Sequence, residues 1–138
     1  MNRVFSIGVA LLTILALTAP VAAAERPIVL EFEKANAGDG YYAGTVEGGG
    51  SLQMWLFESR VVGNTQHFSA TVQVDESTAG SFTAVVRGQI NFSTGRAVLN
   101  GTVTDGDLEG AQVQERSQLI GLSPLTFVGT IQIMPASS

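Results

Sequence analysis

SFTAVVRGQINFSTGRAVLNGTVT, residues 81–104, is the stretch on which the fold turns. In its first half Phe82, Ala84, Val86, Gly88, Ile90 and Phe92 share one side, opposite Thr83, Val85, Arg87 and Gln89. In its second half Ala97, Leu99, Gly101 and Val103 repeat the alternation. Period two is the signature of a strand with one buried face. Between the halves, Ser93-Thr94-Gly95 is a three-residue hairpin loop with glycine where a left-handed residue is wanted. The segment therefore reads as an antiparallel hairpin. Each of its strands also carries a glycine on the apolar side, which weakens a flat strand and suits one that bends sharply.

The same reading extends in both directions. IVLEFEK (28–34) places Ile28, Leu30 and Phe32 on one face, and ANAGDG (35–40) is a turn cluster. YYAGTVEG (41–48) and SLQMWLFESRVV (51–62) follow, the latter setting Leu52, Met54 and Leu56 opposite Gln53, Trp55 and Phe57. Gly63-Asn64 is a two-residue hairpin signal. In QHFSATVQV (66–74), Phe68, Ala70, Val72 and Val74 oppose His67, Ser69, Thr71 and Gln73. LEGAQVQERSQL (108–119) and TFVGTIQIM (126–134) complete eight consecutive strands. Pro27, Pro124 and Pro135 fall outside strand interiors. No link is long enough for a crossover helix, so neighbours pair antiparallel. The expected fold is all-β: an eight-stranded antiparallel up-and-down barrel, with a β-sandwich as the alternative. Gly44, Gly88, Gly101, Gly110 and Gly129, all read as lying within strands, favour the barrel, because a small barrel demands strong coiling. AGTVEGGG (43–50) and NGTVTDGD (100–107) echo one another, and a Gly-Thr-β-branched step is also simply good barrel sequence.

Ahead of the strands the chain reads as an export signal. Arg3 gives a positive start, Val4 to Leu17 an apolar stretch, and Ala22-Ala23-Ala24 a small-x-small cleavage site. Cleavage is expected after Ala24, leaving residues 25–138 as a single domain, secreted or periplasmic. The chain has no cysteine, so disulfides and a lipid on cysteine are both ruled out. Its formal charge is −5, which argues against nucleic acid and anionic membrane surfaces as partners. Gln73, Arg87, Gln89, Arg96, Gln112, Arg116 and Gln132 on the second faces argue against a barrel inserted in lipid.

Motifs for nucleophilic hydrolysis, for phosphate cradling and for zinc hydrolysis are missing. EGGGS (47–51) is followed by a strand, not the helix that a phosphate site needs. Asp105, Asp107 and Glu109 alternate as in the start of a Ca²⁺ loop, lack its distal Glu, and read as an ordinary turn. His67, on the polar side of its strand, reads as a surface residue. No catalytic set, metal site or cofactor is expected.

A candidate site comes from parity. If Ala111, Val113 and Leu119 point inward, the period turns Glu115 and Ser117 inward as well. Leu52, Met54 and Leu56 likewise lead to Glu58 and Arg60. An inward carboxylate is expensive unless paired or hydrated. The expectation is a cavity lined at depth by Leu52, Met54, Leu56 and Val113, with Glu58, Arg60, Glu115 and Ser117 at its mouth. The alternative is that barrel ends are wet and both charges simply reach solvent. Trp55 and Phe57 fall on the opposite face and offer a patch for self-association into a homo-oligomer.

GRAVLNGTVTDGDLEGAQVQERSQL (95–119), followed by TFVGTIQIMP (126–135), resembles the C-terminal half of small exported bacterial proteins. Its Gly-Thr steps and glycine turns resemble those of allene-oxide-cyclase-like and dirigent-like barrels, relatives of the calycins. The resemblance implies a cavity-bearing antiparallel barrel, often oligomeric, that binds hydrophobic small molecules or guides cyclisation and coupling. It carries no catalytic residue over. Three functions follow as expectations. The first is a non-enzymatic exported barrel for a small, largely apolar ligand. The second is a cyclase or isomerase with Glu58 or Glu115 as general acid or base and Arg60 as the oxyanion partner. The third is an interaction module working through Trp55 and Phe57.

Overall fold

A computed structural model describes residues 26–136 of the 138. The export signal and its cleavage after Ala24 lie outside the described residues. Eight strands follow one another: β1 (Ile28–Gly38), β2 (Tyr41–Val46), β3 (Gly50–Val62), β4 (Thr65–Ser77), β5 (Gly80–Asn91), β6 (Arg96–Gly106), β7 (Gln112–Leu122) and β8 (Leu125–Met134). Each pairs antiparallel with the next, and β1 pairs with β8, so the sheet closes on itself. Closure removes both edges and excludes the sandwich. The hairpin read from residues 81–104 is β5–β6, with Ile90 opposite Ala97 and Val86 opposite Gly101.

Alternation works as expected through most of the wall. Phe68, Ala70, Val72 and Val74 of β4 are buried, and so are Phe82, Ala84, Val86 and Ile90 of β5. Leu30, Leu52, Met54, Leu99, Phe127 and Ile133 are among the most deeply buried side chains of the single core. Arg87, Gln89, Arg96, Gln112 and Arg116 are exposed outside. The wall is thus mostly apolar within, while outside these polar side chains alternate with exposed apolar ones such as Val29, Trp55, Phe57, Val85 and Val98.

Four of the five glycines named from the sequence sit where the coiling is sharpest. A Cβ on Gly44, Gly88, Gly101 or Gly129 would lie 1.8–2.0 Å from a carbonyl oxygen of the neighbouring strand, belonging to Glu33, Val98, Val85 and Arg116 respectively. Only a residue without a side chain lets the two backbones come that close, which is how a narrow barrel turns its corners. Gly110 is different. It lies in the turn before β7 with φ +93, and the strand begins only at Gln112, four residues later than the sequence pattern suggests. In the other direction, β1 runs on to Gly38 through part of the expected turn cluster, with a register shift between Asn36 and Gly38.

Candidate functional site

Parity holds along β7, and Glu115 and Ser117 point into the barrel as expected. The interior they reach is a packed core. Leu52, Met54 and Val113 are buried in it, and Leu56 is half-buried against it. Bordered by Glu115, Ser117, Met54, Tyr42 and Phe127, the residual space is about 10 Å³ as seen by the centre of a water-sized sphere. That is about the room one water occupies. The expected ligand-sized lumen is filled by side chains, as eight-stranded barrels permit.

Glu115 is not at a mouth. It is buried and forms an ion pair with Lys34 of β1, across the interior. The ammonium also donates to Met54 Sδ at 3.4 Å and lies 5.2 Å from the centre of the Phe32 ring and 5.8 Å from that of Tyr42. Both rings are within cation–π range. Pairing resolves the cost of the inward carboxylate. Ser117 Oγ, next to the pair, has no hydrogen-bond partner among the described residues. Lys34 escaped the sequence reading, although the signal was present: the period of Leu30 and Phe32 continues to it. Burial raises the Tyr42 phenol above its ordinary pKa, and a hydrogen bond with Asn36 opposes that shift only in part.

Parity fails on β3. Leu56 is opposite Ala70, yet Glu58 is opposite Ser69, so Phe57 is an extra residue on one strand. Such a bulge reverses every side chain that follows it. Ser59 then pairs with the inward Phe68, and Arg60 with the outward His67. Glu58 and Arg60 therefore stand exposed on the outer wall, where the sequence pattern had placed them inside. They cannot share a substrate with Glu115, which the wall separates from them. Past the bulge, Gln66 Nε2 donates to the exposed Ser59 Oγ at 2.8 Å.

What the bulge builds lies outside. Glu58, Arg60, His67, Ser69, Arg87 and Gln89 line a shallow depression of about 670 Å³ across β3–β5. Beside it, Phe57, Val85, Asn100 and Thr102 line a second, of about 500 Å³, over β5 and β6. Ser69 and Arg87 border both, so the two adjoin on either side of these side chains and are together the outer-wall trough. Ser69 is outward yet buried, because its neighbours close over it. Its hydroxyl donates to Glu58 Oε1 and accepts from Arg87 Nε, both long at 3.4 Å. Phe57 is 63% exposed, Val85 42% and Trp55 39%. The Trp55 ring stacks, tilted, on Tyr41 with centroids 5.5 Å apart. Of the residues expected to hold a ligand, the structure joins Glu58 and Arg60 in this trough and leaves Glu115 and Ser117 in the core. His67, Ser69 and Arg87 complete it, and only the bulge, which has no mark in the sequence, reveals them as neighbours of that pair.

The chain matches no protein-family model, no curated protein and no solved structure. The closed eight-stranded antiparallel barrel is the part of the expected likeness that the fold carries.

Proposed function

We propose that this chain is an exported barrel that binds a small, largely apolar molecule, and that the molecule lies in the outer-wall trough. One observation carries the reading: Phe57, the extra residue at the bulge, is exposed beside a concavity that has polar groups along one side and Val85 along the other. Large exposed aromatics next to convergent polar groups are features of binding sites. The packed interior supports an outside site over a lumenal one. Export to the periplasm or beyond, on the strength of the N-terminal pattern, belongs to the same proposal. So does kinship with the allene-oxide-cyclase-like and dirigent-like barrels, which the barrel topology supports. The polar outer faces favour water over lipid as the surroundings of this wall. Native mass spectrometry of protein purified from its own host tests the reading. A co-purifying small molecule is expected, and Phe57→Ala should release it; a bare chain that keeps no adduct, and binds no planar apolar probe, counts against it.

A second reading rests on the same patch. Tyr41, Trp55, Phe57 and Val85 together offer a partly apolar surface for a second copy of the chain. Light scattering separates the two: self-association that Phe57→Asp abolishes favours a dimer face, and a monomer at high concentration leaves the trough to a ligand.

A further inference from the structure

We infer that the ligand of the outer-wall trough carries an anionic head, a carboxylate or its sulfonate or phosphate equivalent, on a flat apolar body. The inference rests on the proposed site and adds the chemistry of what fills it.

Charge comes first. In a chain with 12 acidic and 7 basic residues, the polar half of the trough has Arg60, His67 and Arg87 against the single carboxylate of Glu58. Neither arginine is ion-paired: among the described residues the one ion pair is Lys34–Glu115, inside the barrel. Glu58 is engaged with the Ser69 hydroxyl, and Arg87 meets that same hydroxyl through Nε. The two terminal amino groups of Arg87 are thereby left uncommitted to any carboxylate. A guanidinium presents a planar fork of donors that matches a carboxylate or a tetrahedral oxyanion.

Cross-strand register then gathers the cations. Arg60 is opposite His67, and Arg87 is opposite Ser69, one alternate position along β4 from His67. Arg60 and Arg87 thus flank β4 on either side of its His67 and Ser69, and both border the same depression. The adjoining half supplies the opposite chemistry, with Phe57 and Val85 offering apolar surface and Asn100 and Thr102 at its edge. A ligand filling both halves has its charge at one end and a flat apolar surface at the other. A cation would meet two guanidinium groups, and a neutral molecule would leave them without a counter-charge.

The wider charge distribution agrees. Glu47, Asp75, Glu76, Asp105, Asp107 and Glu109 belong to the turns and strand ends at the end of the barrel where β2, β4 and β6 finish. Arg60, Arg87, Arg96 and Arg116 are instead on the outward face of β3, β5, β6 and β7. An anion is thus drawn to the wall and repelled from that end.

The test uses the folded mature protein and two probes of equal shape, 2-naphthoate and its neutral amide 2-naphthamide. Their dissociation constants are measured by fluorescence at low ionic strength and again in added salt. The naphthoate is expected to bind roughly tenfold more tightly, a preference that salt weakens. Arg87→Gln should erase the preference, whereas Arg116→Gln on the wall outside the trough should leave it. Arg60→Gln gives the same readout if the Arg87 variant does not fold. Equal affinities for the two probes, or a preference for the amide, overturn the anionic head and leave an apolar ligand standing. A preference that survives both trough variants also overturns it. Binding of neither probe at millimolar concentration defeats this inference and the trough together.

Discussion

Lys34 and Glu115 are worth more to each other than either is to the barrel. Both charges sit in an apolar interior, so removing one strands the other. Glu115→Gln or Lys34→Met should each lower the unfolding free energy by about 3–5 kcal/mol. The double variant Lys34→Met/Glu115→Leu should recover most of that loss, since well-packed apolar residues often replace a buried pair without penalty. Denaturant titration of the three variants checks this, and additive losses in the double variant would mean the pair is not coupled. Tyr42 makes a second prediction. Burial raises its folded pKa above the unfolded value of 10.0, so the folded state holds the phenolic proton more tightly. That contribution is complete below the unfolded pKa and is lost as the pH climbs through the folded one. Stability should therefore fall above about pH 10, and Tyr42→Phe should be less sensitive in that range. The check is a comparison of the two unfolding curves at alkaline pH.

At the scale of the strand, glycine and the bulge divide the labour. Gly101 and Gly129 face inward at close backbone approaches, and Gly121 does not: a Cβ there would meet its nearest atoms at an ordinary 3.5 Å. Gly101→Ala and Gly129→Ala should each destabilise by about 1–3 kcal/mol or more, and Gly121→Ala by far less, as thermal unfolding would show. Four of the five strand glycines were legible in the sequence, and so were the eight strands and the inward faces of β4 to β8, because all of them follow from a period of two; the exceptions are Gly110, which serves a turn, and Phe92, which lies past the end of β5 and is exposed. Lys34 was legible by the same rule, as the next inward position after Phe32. The fate of Glu58 and Arg60 was not. SLQMWLFESRVV keeps its alternation whether or not Phe57 is an extra residue, and only the pairing with β4 shows that it is. A single inserted residue moved half of the expected site from the interior to the surface. The start of β7 was misplaced for a related reason, since LEGA carries apolar residues that serve a turn and not a ladder: Ala111 N donates to Leu108 O at 3.0 Å.

For the whole molecule, the physical picture is a packed barrel with the proposed site on its outer wall. The polarity of residues 112–118 is divided between two environments. Glu115 and Ser117 face the core, while Gln112, Gln114, Arg116 and Gln118 form an outer ladder. In that ladder Gln114 Nε2 donates to Asn100 Oδ1 at 2.9 Å, and Arg116 Nε to Gln114 Oε1 at 3.0 Å. Such a wall can hold a charged face steady because closure removes every edge that could open. On the proposed function, ligands meet this wall and not the interior. The most direct measurement is an NMR titration of ¹⁵N- and methyl-labelled protein with 2-naphthoate. The proposed outer-wall site predicts shifts at the amides of Phe57, Ser69, Arg87 and Gly101, with the Met54 methyl and the Ser117 amide unmoved. Shifts centred on Met54 and Ser117, with the outer wall silent, would contradict it.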